Sequence, residues 1–240
     1  QVKKFKPLCL FISYSGNTEE TLSGISDAKI NNFDWIVISS GGKLIDMAKN
    51  EGKEYIQIPN GLQPRAAFGY LTLAVSKIVD IVEGSNYVSQ LNDVSLYIDK
   101  LSDKGDESDI NKLSIDICES INKKTVIIYS GTDMSRVVSS RWKTQINENA
   151  KSKAFIGNLP EVHHNEILSW DADKNGSKKN YIVIFIRDQN EHPQIKKRFE
   201  LTKDLIGEKV DIIEVNIANQ ESTLKTLLEL VLLGDLVSLN

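Results

Sequence analysis

Apolar positions along the chain fall into short runs separated by polar turns and by segments of helical spacing. Residues 8–12 (LCLFI) form an apolar run, followed by the polar SYSGNT and then by apolar positions at Leu22, Ile25 and Ala28. That order predicts strand, turn, helix. It repeats with a strand over 35–39, a turn over 40–42, a helix over 44–48, a strand over 55–58 and a long helix over 66–82. Between Gly84 and Ser108 the composition becomes polar and charged, which places a domain boundary there. Beyond it the spacing predicts helix 109–122, strand 125–129, helix 134–149, strands 153–157 and 181–186, helix 194–206, strand 210–215 and a terminal helix from 221 onward. Strands alternating with helices imply parallel sheets with covering helices. The expected fold class is α/β in two domains, 1–102 and 103–240, each a mainly parallel sheet flanked by helices.

The chain opens almost directly into a core strand and stops at Asn240 within an apolar helix. This leads to the expectation that the sequence is part of a longer polypeptide and that its first domain is incomplete at the N-terminus.

With 29 Lys and Arg against 33 Asp and Glu over 240 residues, the net charge is −4. No basic surplus is available to draw nucleic acid by counter-ion release. The apolar run 230–233 is far shorter than the roughly 20 residues of a membrane helix, so neither nucleic acid nor membrane is expected as a partner. Cys9 and Cys118 are the two cysteines. They lack a CxxC spacing and read as buried thiols in a reducing cytoplasm. Three histidines without metal-ligand spacing give no expected metal and no expected cofactor.

Four motifs carry candidate chemistry. The first, SYSGNTEET at 13–21, sits between a strand and a helix, where free N–H groups, the positive end of the helix dipole and the hydroxyls of Ser13, Ser15 and Thr18 suit a phosphate. The same residues also suit a plain helix cap. In the second, GLQPRAA at 61–67, Pro64 opens the long helix and sends Arg65 out near its start, against the dipole; Arg65 is either a partner for an anion or a solvated surface group. The third is RWKTQINENAK at 141–151. It leaves Glu148 in the last turn of a helix, where the negative dipole end suits a group that takes and returns a proton, although an exposed last-turn glutamate has the same pattern. The fourth, PEVHHN at 160–165, holds His163 and His164, which are acid–base groups or structural hydrogen-bonders. His192 reads as part of a surface turn.

Taken together, SYSGNTEET, SSGG, PRAA, NENAK and PEVHHN, in this order over two α/β halves, resemble the archaeal bifunctional phosphoglucose/phosphomannose isomerases of the sugar isomerase (SIS) domain family. The resemblance spans residues 8–165, with GDLVS at 234–238 as a weaker match. SYSGNT indicates a SIS domain, which regulators and aminosugar enzymes also contain; NENAK, with the second histidine of HHN sixteen residues after its glutamate, narrows it. The resemblance implies that Ser13, Ser15 and Thr18 hold a sugar phosphate and that Glu148 moves a proton between C2 and C1. It further implies that Arg65 stabilises a cis-enediol(ate) and that His164 assists ring opening from the neighbouring subunit of a homodimer with shared active sites. The implied activity is metal-independent aldose–ketose interconversion of glucose 6-phosphate or mannose 6-phosphate with fructose 6-phosphate. A sensor module that binds a sugar phosphate without chemistry and an aminosugar-phosphate isomerase are the alternatives. The family's first Gly- and Ser-rich phosphate loop, and a C-terminal segment supplying a Thr and a Lys, have no counterpart in these residues. Glu166, directly after HHN, receives no catalytic role.

Overall fold

The structure is a computed structural model that describes residues 6–102, 108–131, 133–172, 177–188, 190–216 and 222–240. The chain divides into two compact units between Leu91 and Asn92.

In the first unit, β1 (Leu8–Ile12), β2 (Asp34–Ser39) and β3 (Tyr55–Gln57) form a parallel sheet in that order. Leu8 registers with Asp34, and Val37 with Tyr55. The crossovers are α1 (Glu19–Ile30) and α2 (Gly42–Asn50); a 3-10 turn, Pro64–Ala67, leads into α3 (Phe68–Glu83). Side chains alternate across a strand, so β2 feeds two cores. Trp35 and Val37 pack with Ile25 and Ala28 of α1 and with Leu44, Ile45 and Ala48 of α2. On the opposite face Ile38 packs with Ile58, Ala67, Ala74 and Ile78.

The polar stretch read as a boundary contains a helix, α4 (Tyr87–Ser102), and the division between units falls inside it. Tyr87, Leu91, Val94 and Ile98 recur at helical spacing, and Val94 is buried. The polar residues between them are its wet faces. Asp80 prepares the start of this helix by accepting from the Tyr87 and Val88 amides, at 2.7 and 2.9 Å, and from the Ser85 hydroxyl at 2.6 Å. Residues 103–107, at the expected boundary, lie outside the described residues, as does position 221 at the expected start of the last helix.

The second unit follows with α5 (Asp109–Ile121), β4 (Thr125–Ser130), α6 (Met134–Glu148), β5 (Ala154–Asn158) and three short helices, α7 (Val162–Asn165), α8 (Ser169–Ala172) and α9 (Ser177–Asn180). Then come β6 (Tyr181–Ile186), α10 (Pro193–Ile206), β7 (Asp211–Val215) and α11 (Thr223–Leu239). The sheet is parallel throughout, in the order β5-β4-β6-β7. A near-continuous apolar run is what a central parallel strand needs; in β6 every residue from Ile182 to Ile186 is buried. One core gathers Tyr129, Leu159, Val162, Trp170, Phe185 and Phe199, while α6 packs against α11. The turns α7 to α9 fall in a stretch for which the hydrophobic spacing predicts no element, because four-residue helices are too short to show a period. Cys9 and Cys118 are half-buried rather than buried: the edge strand β1 and the rim of α5 leave each thiol partly open.

Candidate functional site

In an open parallel sheet the strands deliver their following loops to one edge, the carboxyl edge. The turn after β1 folds there against the turn after β2. Gly16 sits at φ +69°, and a Cβ on it would lie 1.8 Å from the Gly41 carbonyl oxygen. A Cβ on Gly42, at φ +72°, would likewise lie 2.4 Å from the Ser15 carbonyl oxygen. The Leu44 amide donates to the Gly16 carbonyl at 3.0 Å and the Lys43 amide to Asn17 Oδ1 at 3.2 Å, so SYSGNT and SSGG form one double turn.

That double turn displays the expected hydroxyls. Ser13 Oγ and Thr18 Oγ1 are 2.7 Å apart, and the Gly16 amide donates to Ser13 Oγ at 3.2 Å. The Asn17 amide donates to Ser15 Oγ at 3.3 Å. Ser13 is buried, whereas Ser15 and Thr18 are exposed. Thr18 is the N-cap residue of α1, yet its side chain makes no capping bond. The hydroxyl is engaged with Ser13 rather than with the helix it precedes.

Arg65 lies half-buried in the 3-10 turn Pro64–Ala67. Tyr14, from within SYSGNT, ties down the loop that leads to it: its hydroxyl donates to the Pro59 carbonyl at 3.2 Å and accepts from the Leu62 amide at 2.8 Å. Ser13, Ser15, Thr18 and Arg65 thus follow strands of one sheet at one edge.

In the second unit Glu148 ends α6 and is exposed. The backbone that follows is held residue by residue. The Glu148 carbonyl accepts from Lys151 Nζ at 2.7 Å, Asn147 Nδ2 donates to the Ser152 carbonyl at 2.8 Å, and Asn149 Nδ2 donates to Ser238 Oγ at 2.9 Å.

The two histidines of α7 separate in role. His163 Nδ1 lies 3.1 Å from an Arg198 guanidinium nitrogen and Nε2 lies 2.7 Å from Thr202 Oγ1. Arginine can only donate, so Nδ1 accepts and Nε2 carries the proton. Burial, and then the Arg198 charge, hold this imidazole below the ordinary histidine range. His164 is exposed. Glu166 accepts a hydrogen bond from the Tyr129 hydroxyl, and Trp170 Nε1 donates to the same hydroxyl at 2.9 Å. Burial, and then Glu166, push the Tyr129 hydroxyl above its usual range. This chain pins α7 to the core and explains why a glutamate directly follows HHN.

Glu148 and His164 flank β5 in the chain. A crossover helix runs back across its sheet, so α6 brings Glu148 toward the start of β5, whereas His164 comes after that strand, in α7, which is held to α10 through His163. Among the described residues no group of three or more His, Cys, Asp or Glu is placed to hold a metal ion, and no helix is long and apolar enough to cross a membrane.

Sequence reasoning missed Asp235, which faces the Glu148 helix, and the Tyr129–Glu166–Trp170 chain. GDLVS was the one signal for the first. The second joins residues up to 41 positions apart and leaves no local pattern.

Residues 110–240 match the family model for the bacterial phospho-glucose isomerase C-terminal SIS domain. A bifunctional phosphoglucose/phosphomannose isomerase of Aquifex aeolicus is 34% identical over 234 residues, covering 96% of this chain and 68% of the relative. A D-glucosamine-6-phosphate 4-epimerase of Sulfolobus acidocaldarius is 36% identical over 170 residues, 70% of this chain and 53% of that protein. Among solved structures, a glucosamine-6-phosphate deaminase of Thermotoga maritima superposes with a TM-score of 0.67 at 15% identity, covering 97% of this chain and 69% of its own; this shows a shared fold.

Proposed function

The chain belongs to the family of the bifunctional phosphoglucose/phosphomannose isomerases, and on that footing we propose that it interconverts glucose 6-phosphate or mannose 6-phosphate with fructose 6-phosphate. The observation that carries this reading is the similarity to an isomerase so named along nearly the whole chain. In the proposed mechanism the hydroxyls of Ser13, Ser15 and Thr18 take the substrate phosphate at the N-terminus of α1. Glu148 removes the proton from C2 and returns it to C1, Arg65 balances the negative charge of the cis-enediol(ate), and His164 assists ring opening. A single base serving either C2 epimer accounts for both aldoses. No metal or other cofactor is required by this scheme.

Glu148 lies before β5 and His164 after it, and in the proposed homodimer His164 completes the site of the neighbouring subunit. The half-buried, unbridged thiols Cys9 and Cys118 suit a reducing cytoplasm. The test is fructose 6-phosphate formation from each aldose, with a chelator present, by the full-length protein. Turnover of both is expected; binding of sugar phosphates without turnover would replace the isomerase with a sensor module. The Sulfolobus relative favours a second reading, epimerisation of an aminosugar phosphate. Product from glucosamine 6-phosphate, with none from the two aldoses, would select it.

A further inference from the structure

The GDLVS segment of α11 lies along the helix that ends in Glu148. Arg141, Gln145 and Asn149 are spaced four residues apart, so they stack on one helical face, and Glu148 directly precedes the last of them. Asp235 receives the first two. Arg141 donates from Nε to Oδ1 at 3.3 Å and from a terminal nitrogen to Oδ2 at 2.9 Å, while Gln145 Nε2 donates to Oδ1 at 2.8 Å. Ser238 receives the third, from Asn149 Nδ2, and passes its own proton to the Asp235 carbonyl at 2.7 Å. Gly234 makes the approach possible, since a Cβ there would come within 2.3 Å of Trp142 Nε1. Trp142, fully buried, donates to the Leu230 carbonyl at 2.8 Å.

A helix packed against its neighbour by apolar contacts alone can slide and rotate slightly. A two-pronged Arg–carboxylate pair fixes both position and orientation, and here it acts two turns before the candidate base. We propose that Asp235, with Ser238, is a positioning residue for Glu148, holding the last two turns of α6 so that the carboxylate is presented in one geometry. The inference rests on Glu148 being the base. Its expected signature is in turnover, because a displacement of about 1 Å at a reacting group can cost on the order of a hundredfold in rate, while the phosphate cradle is built by other residues.

The test is a double-mutant cycle in the full-length enzyme. Glu148→Gln alone should lower kcat by a factor on the order of 10² to 10⁴. Asp235→Asn, which keeps the shape and loses the charge, should lower kcat about tenfold and leave KM for glucose 6-phosphate within about twofold. In the Glu148→Gln background it should cost nothing further, since a positioning residue has nothing left to position. Ser238→Ala, the milder change, should reproduce the pattern at about threefold and decides the matter if Asp235→Asn does not fold. Parental turnover in both α11 variants overturns the inference while the base assignment stands. An equal kcat loss with and without Glu148 does so as well, because general loss of structure would act in that way. Near-normal turnover in Glu148→Gln removes the base assignment, and the inference with it.

Discussion

Gly16 is the residue on which the double turn of SYSGNT and SSGG rests. Its φ of +69° and the 1.8 Å that would separate an added Cβ from the Gly41 carbonyl exclude any other side chain without backbone movement. Alanine is strained at a positive φ by more than about 1 kcal/mol even where space is open, and here the clash adds to it. Gly16→Ala is expected to lower the denaturant midpoint and to raise KM for glucose 6-phosphate about tenfold or more, since the Ser13–Thr18 pair must move with the turn. An unchanged KM alongside reduced stability would separate the turn from phosphate binding. The motif was legible because turn chemistry is written in adjacent residues. That Thr18 makes no cap bond and that Ser13 turns inward to meet its hydroxyl depends on side-chain rotamers that the letters do not specify.

Among the elements, α7 is the smallest with a large consequence. Four residues cannot hold a helix by themselves, and α7 stands because His163 is bonded to Arg198 and Thr202 of α10 while Glu166 is bonded to Tyr129 of β4. Tyr129→Phe leaves the Glu166 carboxylate and the Trp170 indole N–H without their shared partner, at a cost of about 1 to 3 kcal/mol. Under the proposed role of His164, turnover should fall with it, measured alongside thermal unfolding. The tyrosine also sets an alkaline limit. Its folded pKa is raised above the unfolded value of 10.0, so the stability it contributes is fully present below pH 10 and is lost as the pH rises past it, when the unfolded chain sheds the proton first. The parent's unfolding temperature should therefore drop above pH 10 more steeply than that of Tyr129→Phe. Equal slopes would show that the hydroxyl already titrates in the folded state.

For the whole molecule, the distribution of site residues decides how activity can arise. Glu148 precedes β5 and His164 follows it, and in the proposed shared-site dimer one subunit supplies each. Glu148→Gln and His164→Ala, each nearly inactive alone, should then complement on co-expression. Random pairing makes half the dimers mixed, and each mixed two-fold dimer holds one intact site, so roughly a quarter of parental turnover is expected. Activity no greater than the sum of the separate variants would place both groups in one subunit's site.

Strand runs, helix periods and the Gly- and Ser-rich turns were determined by the sequence alone, because each depends on residues within one or two turns of one another. The α/β alternation and the order of the candidate motifs were legible for the same reason. The sequence left α4 hidden, since its apolar positions are sparse and its polar faces look like a linker until Val94 is seen to be buried. Only the tertiary structure decided which histidine of the pair is committed, why Glu166 follows HHN, and that Asp235 reaches back 94 residues to Arg141. Each of these is a pairing of polar groups across separate elements, set by how helices and strands pack, and no local pattern encodes it.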